Sequence, residues 1–345
     1  MMRKFYLILN KVYNTTVSIL NAPYFGFVQG HNYIGNKDIS DIYNIVGTDD
    51  EELILNYEQS FSKLVGDGGS VSFATGRMGF YALMKICGVG KGDEIIINGA
   101  TCSVMVNAIL RCGATPVYSD IDSNTFGSSS HSIKECLTIR TKMVVAQHSF
   151  GIPCEIDLIS DICKKARVFL LEDCALALGS KLYNINVGTF GDAALFSTDH
   201  SKPLNTITGG LIYTNNVSIY NKLLTMQYQS NNLSIEKQKA IWKRFVLERR
   251  YAQPGRFRML HFFDFIHKVK SSLIGGVTPF LDEDFSSKTL SQSYPYPSKL
   301  PAFLAAIGLI EINRWPFIMK EREKMKFLMG KIRIEILYYF TLIII

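Results

Sequence analysis

The chain has 345 residues, enough for about two domains; 47% of them are hydrophobic and 19% charged, and no uncharged run reaches the about 20 apolar residues of a membrane-spanning helix. Seven cysteines, odd in number and scattered without a CxxC pair, argue for reduced thiols in a cytoplasm and against a disulfide framework or a zinc site. The net charge of +7 is dispersed, and its densest patches, KRFVLERR (243–250) and KEREKMK (320–326), read as solvated helix faces and not as a nucleic-acid surface.

The opening residues MMRKFYLILN have a basic start, but Asn10 and Lys11 break the apolar stretch and no clean cleavage site follows, so a mature, non-secreted N-terminus is expected. Residues 1–54 form an N-terminal segment. From about Ser70 an alternating rhythm sets in. GRMGFYALMKICGVG has helical spacing and ends in glycines, DEIIING is a short β-rich run, TCSVMVNAILRCG is helical again, and TPVYSDID is a strand. TKMVVAQHS, ARVFLLEDCA and DAALFST are further strand candidates, with the helix DLISDICKKA between the first two. Strand and helix alternating at this interval predict βαβ crossovers and a buried, largely parallel sheet over residues 55–225.

Beyond Asn215 the pattern changes. Residues 226–345 read as a helical, basic connection punctuated at Pro254-Gly255, an irregular stretch SQSYPYPSKLP (291–301), and an apolar helix AFLAAIGLIEINRW that opens a smaller C-terminal domain. The last residues, IEILYYFTLIII, read as a strand-like run and as a truncated or frame-altered end, leaving that domain incomplete; they are too few to span a membrane.

Three stretches fall at the expected mouths of the parallel sheet, where α/β proteins bind ligands. ATGRMG (74–79) is a turn leading into a helix, whose N-terminal amides and dipole favour an anion such as a phosphate. FLLEDCALALG delivers Glu172 and Asp173 to the end of an apolar strand, where a carboxylate is costly unless it meets a cation or a donor. FSTDHSKPLNTITGG carries Ser197 and Lys202 beyond the next strand, and a lysine held in a cleft can lose its proton and attack a carbonyl. Amides for a phosphate, an aspartate for a ring nitrogen and a lysine for a Schiff base together match the needs of pyridoxal phosphate. No metal site is expected. His148, which follows an apolar strand, reads as a hydrogen-bonded structural histidine, Cys102 and Cys174 as small packing residues near the site, and Trp315 and Phe317 as packing on the C-terminal helix.

These blocks, in this order, resemble the pyridoxal-phosphate-dependent nucleotide-sugar aminotransferases of the DegT type, members of fold type I. The resemblance runs from about Asp49 to Met325 and rests on TGRMGFYALM, GVGKGDEIIINGATCSVMVNAILRCGATPVYSDID, RTKMVVAQHSFG, LLEDCALALGS, VGTFGDAALFSTDHSKPL with its terminal GG, and LAAIGLIEINRW. It implies the α/β fold of that type, with a mostly parallel central sheet flanked by helices. The reaction implied is transamination of a nucleotide-linked keto-sugar by an amino acid, first of all glutamate, for polysaccharide or glycoconjugate synthesis in a cytoplasmic homodimer whose sites lie at the subunit interface.

Carried over by position, Lys202 matches the Schiff-base lysine, Asp173 the partner of the pyridinium nitrogen, Ser197 a phosphate ligand, and Gly76, Arg77 and Met78 the phosphate-binding turn. Four positions depart from the family pattern: Arg77 stands for threonine, Cys102 for the aromatic ring over the cofactor, Leu176 for a glutamine near its phenolic oxygen, and Thr208 for the glutamate of Gly-Glu-Gly-Gly. Those departures also leave room for a non-catalytic structural or regulatory relative. A sugar dehydrase of the same family would carry histidine in place of Lys202.

Overall fold

The computed structural model describes residues 33–47, 49–251, 256, 259–260, 262–263, 265–266, 281 and 294–343, the side chains of Ile45 and of 325–343 aside. The expected features of the N-terminus, the Pro254-Gly255 break and residues 291–293 lie outside these. A first helix, α1 (Asn36–Ile45), leads to α2 (Asp50–Val65), which begins where Asp49 Oδ1 accepts the Glu52 amide at 2.9 Å. Asp50, Glu51 and Glu52 then place negative charge at the positive end of the helix dipole.

Alternation follows in chain order: β1 (Gly69–Phe73), α3 (Gly76–Ile86), β2 (Glu94–Asn98), α4 (Ser103–Cys112), β3 (Thr115–Ser119), α5 (Ser130–Cys136), β4 (Thr141–Gln147), α6 (Ile156–Ala166) and β5 (Phe169–Asp173). A small hairpin, β6 (Lys181–Leu182) with β7 (Ile185–Asn186), precedes β8 (Ala193–Ser197) and β9 (Gly210–Thr214). The sheet has seven strands in the order β1-β9-β8-β5-β4-β2-β3. β8, β5, β4, β2 and β3 run parallel, while β9 is antiparallel to both β1 and β8. This is the mostly parallel sheet with flanking helices expected of the sequence.

Burial on both faces explains why the central strands are continuous apolar runs and not alternating ones. Ile95, Ile97, Met143, Val145 and Leu171 enter the main core, and Ile96, Val144, Ala146 and Leu170 enter a second cluster with Ile156, Ile159 and Cys163 of α6. Helices α3 and α4 end on residues suited to stop them: Gly88 at φ 72° and Gly113 at φ 84° take left-handed conformations that cost other residues more.

The strands β1 and β9 and the helix α5 were not anticipated; GSVSF and GLIYT are short and flanked by glycines, and their strand character comes from pairing with each other. Beyond β9 come α7 (Val217–Gln229), α8 (Ile235–Tyr251) and a long helix α9 (Ala302–Ile343). The strand-like reading of the final run is therefore corrected: residues 334–343 continue α9. Its β-branched and aromatic residues follow a stretch rich in Lys, Glu, Arg and Met, strong helix formers that carry the helix through. Pro316 sits inside it.

The segment Ala302–Lys324 is long and apolar enough to cross a membrane by length and composition, yet 56% of its apolar window is buried inside the protein. It packs along α2, where Gly308 leaves space for the Tyr57 ring that a Cβ would strike. Trp315 is buried as expected, but Phe317 is 59% exposed, a correction that follows from its pointing away from that packed face. The 243–250 patch is not simply solvated either: Arg244 and Glu248 are buried and paired at 2.6 Å, one helical turn apart.

Candidate active site

The parallel strands deliver their C-terminal ends to one cavity of about 450 Å³, which gathers Gly76 and Arg77 from α3, Cys102 ahead of α4, Asp173 at the end of β5, Ser197 at the end of β8, and Lys202. Six of the eight candidate residues thus meet in one place. Met78 and Leu176 do not. The Met78 amide is committed to the helix cap, 3.3 Å from Thr75 Oγ1, and its buried sulfur faces the Ser298 amide at 3.4 Å. Leu176 is 39% exposed outside the cavity, because the chain turns after Asp173 and presents Ala175 there instead.

The turn before α3 is shaped for close approach. Thr75 caps the helix by accepting the Met78 amide, and Gly76 and Arg77 form its first turn at the positive end of the helix dipole. Gly210 lies against this turn so closely that a Cβ would collide with the Gly76 backbone. Gly210 therefore supports the turn, whereas a Cβ on Gly209 would meet Thr198, Thr206 and Leu300. Thr208 fastens the same region, donating to the Ala74 carbonyl at 2.8 Å.

Adjacent carboxylates face opposite ways because strand side chains alternate. Glu172 is fully buried and accepts from the amides of Gly188, Phe190 and Gly191, each at 2.7 Å. His148 Nε2 lies 3.1 Å from the same carboxylate, and His148 Nδ1 accepts the Cys154 amide at 3.1 Å, so the imidazole is a structural link as the sequence suggested. Cys174 sits beside this pair in a group of metal-ligand type, but both Glu172 oxygens already hold two donors each. Burial pushes the Cys174 thiol up to about 12, which keeps it protonated.

Asp173 faces the cavity and is 7% exposed; its Oδ1 accepts the Ala175 amide at 3.0 Å. Burial pushes its pKa above the ordinary carboxylate value, opposed by that amide and by the charges of Lys202 and His148. A carboxylate so placed gains from a cationic N–H donor in the cavity.

Lys202 lies on a compact loop between β8 and β9. Thr198 N donates to Gly209 O at 3.0 Å, Thr206 N to Thr198 O at 2.8 Å, and Lys202 N to Asp199 O at 2.9 Å. Ile207 is held at φ 71° with its side chain buried. A β-branched residue pays about 1–2 kcal/mol for that left-handed backbone. The loop also brings Asp199 and His200 to the cavity wall, paired at 3.0 Å. Sequence reasoning passed over these two, and over Thr75; the polar cluster DHSK and the threonine before a helix were the available signals. Cys102 lies on the exposed rim with no side-chain hydrogen bond to α4.

A family model described as the DegT/DnrJ/EryC1/StrS aminotransferase family matches residues 44–255. GDP-perosamine synthase of Escherichia coli O157:H7 is 34% identical over 187 residues, 53% of this chain and 51% of that protein. The spore coat polysaccharide biosynthesis protein SpsC of Bacillus subtilis (strain 168) is 31% identical over 192 residues, 56% of this chain and 48% of that protein. The chain thus spans about half the length of the curated relatives it matches. Among solved structures, an Escherichia coli GDP-4-keto-6-deoxy-D-mannose-3-dehydratase with bound hydrated pyridoxal phosphate superposes with a TM-score of 0.61 at 23% identity, covering 88% of this chain and 70% of that one. Helicobacter pylori PseC, an aminotransferase in pseudoaminic acid biosynthesis, gives 0.59 at 19% identity, covering 86% and 66%. At these identities the superpositions establish the shared fold.

Proposed function

Because the chain belongs to the DegT/DnrJ/EryC1/StrS aminotransferase family, we propose that it is a pyridoxal-phosphate-dependent aminotransferase. It moves an amino group from an amino acid, glutamate first of all, to the ketone of a nucleotide-linked sugar that feeds polysaccharide or glycoconjugate synthesis. The observation that carries this reading is the meeting of Lys202, Asp173 and the α3 N-terminus in one cavity. The names of the relatives, a GDP-sugar synthase and a polysaccharide biosynthesis protein, point to the substrate class.

The residues fit the cofactor. A cavity of about 450 Å³ suits a molecule of that size. The buried Asp173 carboxylate offers a protonated ring nitrogen a partner, and the start of α3 at the cavity wall offers an anion the amides of a helix N-terminus. Bound pyridoxal phosphate supplies the aldehyde and the electron-accepting ring.

The chain supplies the rest. Gly76 and Arg77 amides, the Arg77 guanidinium and the Ser197 hydroxyl hold the phosphate, Arg77 replacing a hydroxyl contact with a charge-assisted one. Asp173 holds a proton on the ring nitrogen. Lys202 would offer its amine for attachment of the cofactor and a base for the donor's α-proton. Met78 supports the turn from within the core, and neither Leu176 nor the Cys102 thiol gives the contact its family counterpart would. The large domain, residues 55–225, carries this site; the helical connection and smaller unit that follow bear on the sugar, in a cytoplasmic homodimer with the site at the interface.

A non-catalytic relative is the second reading. Ile207 in a left-handed conformation, where the family pattern has glycine, and Thr208 in place of glutamate are the observations in its favour. A sugar dehydrase is disfavoured by Lys202. The visible absorbance of the protein with added pyridoxal phosphate, before and after borohydride, tests the proposal beside Lys202→Ala. The expected result is a visible band in the native protein, fixed by reduction onto the peptide bearing Lys202 and absent from the variant. A native protein without the band overturns the aminotransferase reading in favour of the non-catalytic relative.

A further inference from the structure

We propose that Tyr296 is a positioning residue for the cofactor phosphate, holding Arg77 and the start of α3 in place from outside the cavity. Its premise is the assignment of that turn as the phosphate site. The segment YPYPSKLP (294–301), to which the cavity residues give no role, supplies the contacts.

This segment grips the turn at both ends. The Ala74 amide donates to the Ser298 carbonyl at 3.0 Å, and the Ser298 amide lies 3.4 Å from the Met78 sulfur. Between them the Tyr296 hydroxyl donates to the Arg77 carbonyl at 3.3 Å. Ala74 and Met78 bracket Thr75, Gly76 and Arg77, the three residues of the turn that line the cavity. Tyr296 is half-buried and is not one of the lining residues, so its influence on a bound phosphate passes through Arg77.

The hydroxyl is aimed by a fixed ring. Tyr81 of α3 meets the Tyr296 ring edge-on with centroids 5.1 Å apart, and the Arg111 guanidinium of α4 lies 4.2 Å from its centroid. Pro295 and Pro297 each fix a φ angle beside it. The segment is in turn tied to the chain beyond α7, where Ser298 bridges Asn231 and the Lys299 amide donates to the Asn231 carbonyl at 3.0 Å. Tyr296 therefore couples the first turn of α3 to two other elements. Charge-assisted bonds to a phosphate depend on direction as well as distance, so a first turn that cannot rock keeps the Arg77 guanidinium and the turn amides converging on one point.

Tyr294 provides an internal comparison. It belongs to the same segment, and its hydroxyl donates at 3.2 Å to the carbonyl of Leu281, a cavity residue that is not part of the turn.

Titration calorimetry of the full chain with pyridoxal phosphate, pyridoxal and inorganic phosphate separates the phosphate contribution from that of the ring. Tyr296→Phe removes the hydroxyl and keeps the ring against Tyr81 and Arg111. It is expected to weaken both phosphate-bearing probes about threefold to fivefold, the worth of one neutral hydrogen bond, and to leave pyridoxal unchanged. Tyr296→Ala removes the ring as well and should show a larger loss with the same selectivity. Tyr294→Phe should leave the difference between pyridoxal phosphate and pyridoxal at its native value. A merely structural role would weaken pyridoxal phosphate and pyridoxal together.

Native affinities in Tyr296→Phe, equal losses for pyridoxal phosphate and pyridoxal, or the same phosphate-selective loss in Tyr294→Phe would each overturn the inference. So would a native protein that binds neither phosphate-bearing probe. Unchanged affinities in Tyr296→Phe beside a normal Lys202-dependent band remove this role alone. A phosphate-selective loss in a protein that shows no such band supports the role and removes the aminotransferase assignment alone.

Discussion

Gly210→Ala probes the support of the turn proposed to hold the cofactor phosphate. In the antiparallel pairing of β1 with β9, Gly210 sits opposite Phe73, one turn away from the start of α3. The added methyl would overlap Cα and N of Gly76 and approach the Thr75 carbonyl carbon to 2.9 Å. All three atoms are backbone, so no side chain can swing aside, and the turn itself must move. Overpacking of this kind costs about 1–3 kcal/mol of stability. Displacing the turn also spoils its amides as anion donors, and losing one hydrogen bond to a charged group costs about 1.5–3 kcal/mol. Cofactor affinity is therefore expected to fall by roughly 10-fold to 100-fold, at about 1.4 kcal/mol per decade. Equilibrium titration with pyridoxal phosphate and urea unfolding measure the two effects, with Gly90→Ala, where a Cβ meets nothing within 4 Å, as the control. A Gly210→Ala protein that binds as tightly as the Gly90→Ala control would refute the reasoning.

Glu311, fully buried on α9, has its pKa pushed up by burial to about 7 from 4.5, against the opposing charge of Arg314 3.7 Å away. The folded state holds this proton more tightly than the unfolded state, so the contribution is fully present below the unfolded value and is lost as pH rises through about 7, amounting to about 3 kcal/mol. Glu311→Gln should flatten that dependence in urea unfolding at a series of pH values; an unchanged slope would refute the assignment. Glu172→Ala strips the partner from three amides, that of Gly188 buried and those of Phe190 and Gly191 half-buried, and from the buried His148. At about 1–3 kcal/mol for each unsatisfied group, a loss of at least about 3 kcal/mol is expected in chemical denaturation. A loss below about 1 kcal/mol would show that the amides find other partners.

Much of the sheet was legible because its strands are buried on both faces. DEIIING, TKMVVAQHS and ARVFLLEDCA could be read as strands since burial on both sides demands an unbroken apolar run, and the helices between them carry a distinct period. β1 and β9 escaped notice for the complementary reason. Their short glycine-flanked runs are stabilised by each other and by β8, partners far away in the chain that no local window contains. The end of α9 misled for a similar reason: its last residues, taken alone, favour a strand, whereas the helix reaching them from Ala302 imposes its own geometry.

At the site, Lys202, Asp173, Ser197, Gly76 and Arg77 were readable because chemistry at the ends of parallel strands restricts residue type, and their order along the chain repeats that restriction. Met78 and Leu176 could be carried over by position but not by direction; whether a residue faces a cavity depends on the turn that follows the strand and on which amide the cap has already taken. The Asp199–His200 pair, the Ile207 backbone and the Glu172–His148 link lay in plain view as letters. Their roles arise only when loop closure and strand alternation set distances and burial, since an ionisable side chain acquires its function from the charges and donors that the fold brings around it.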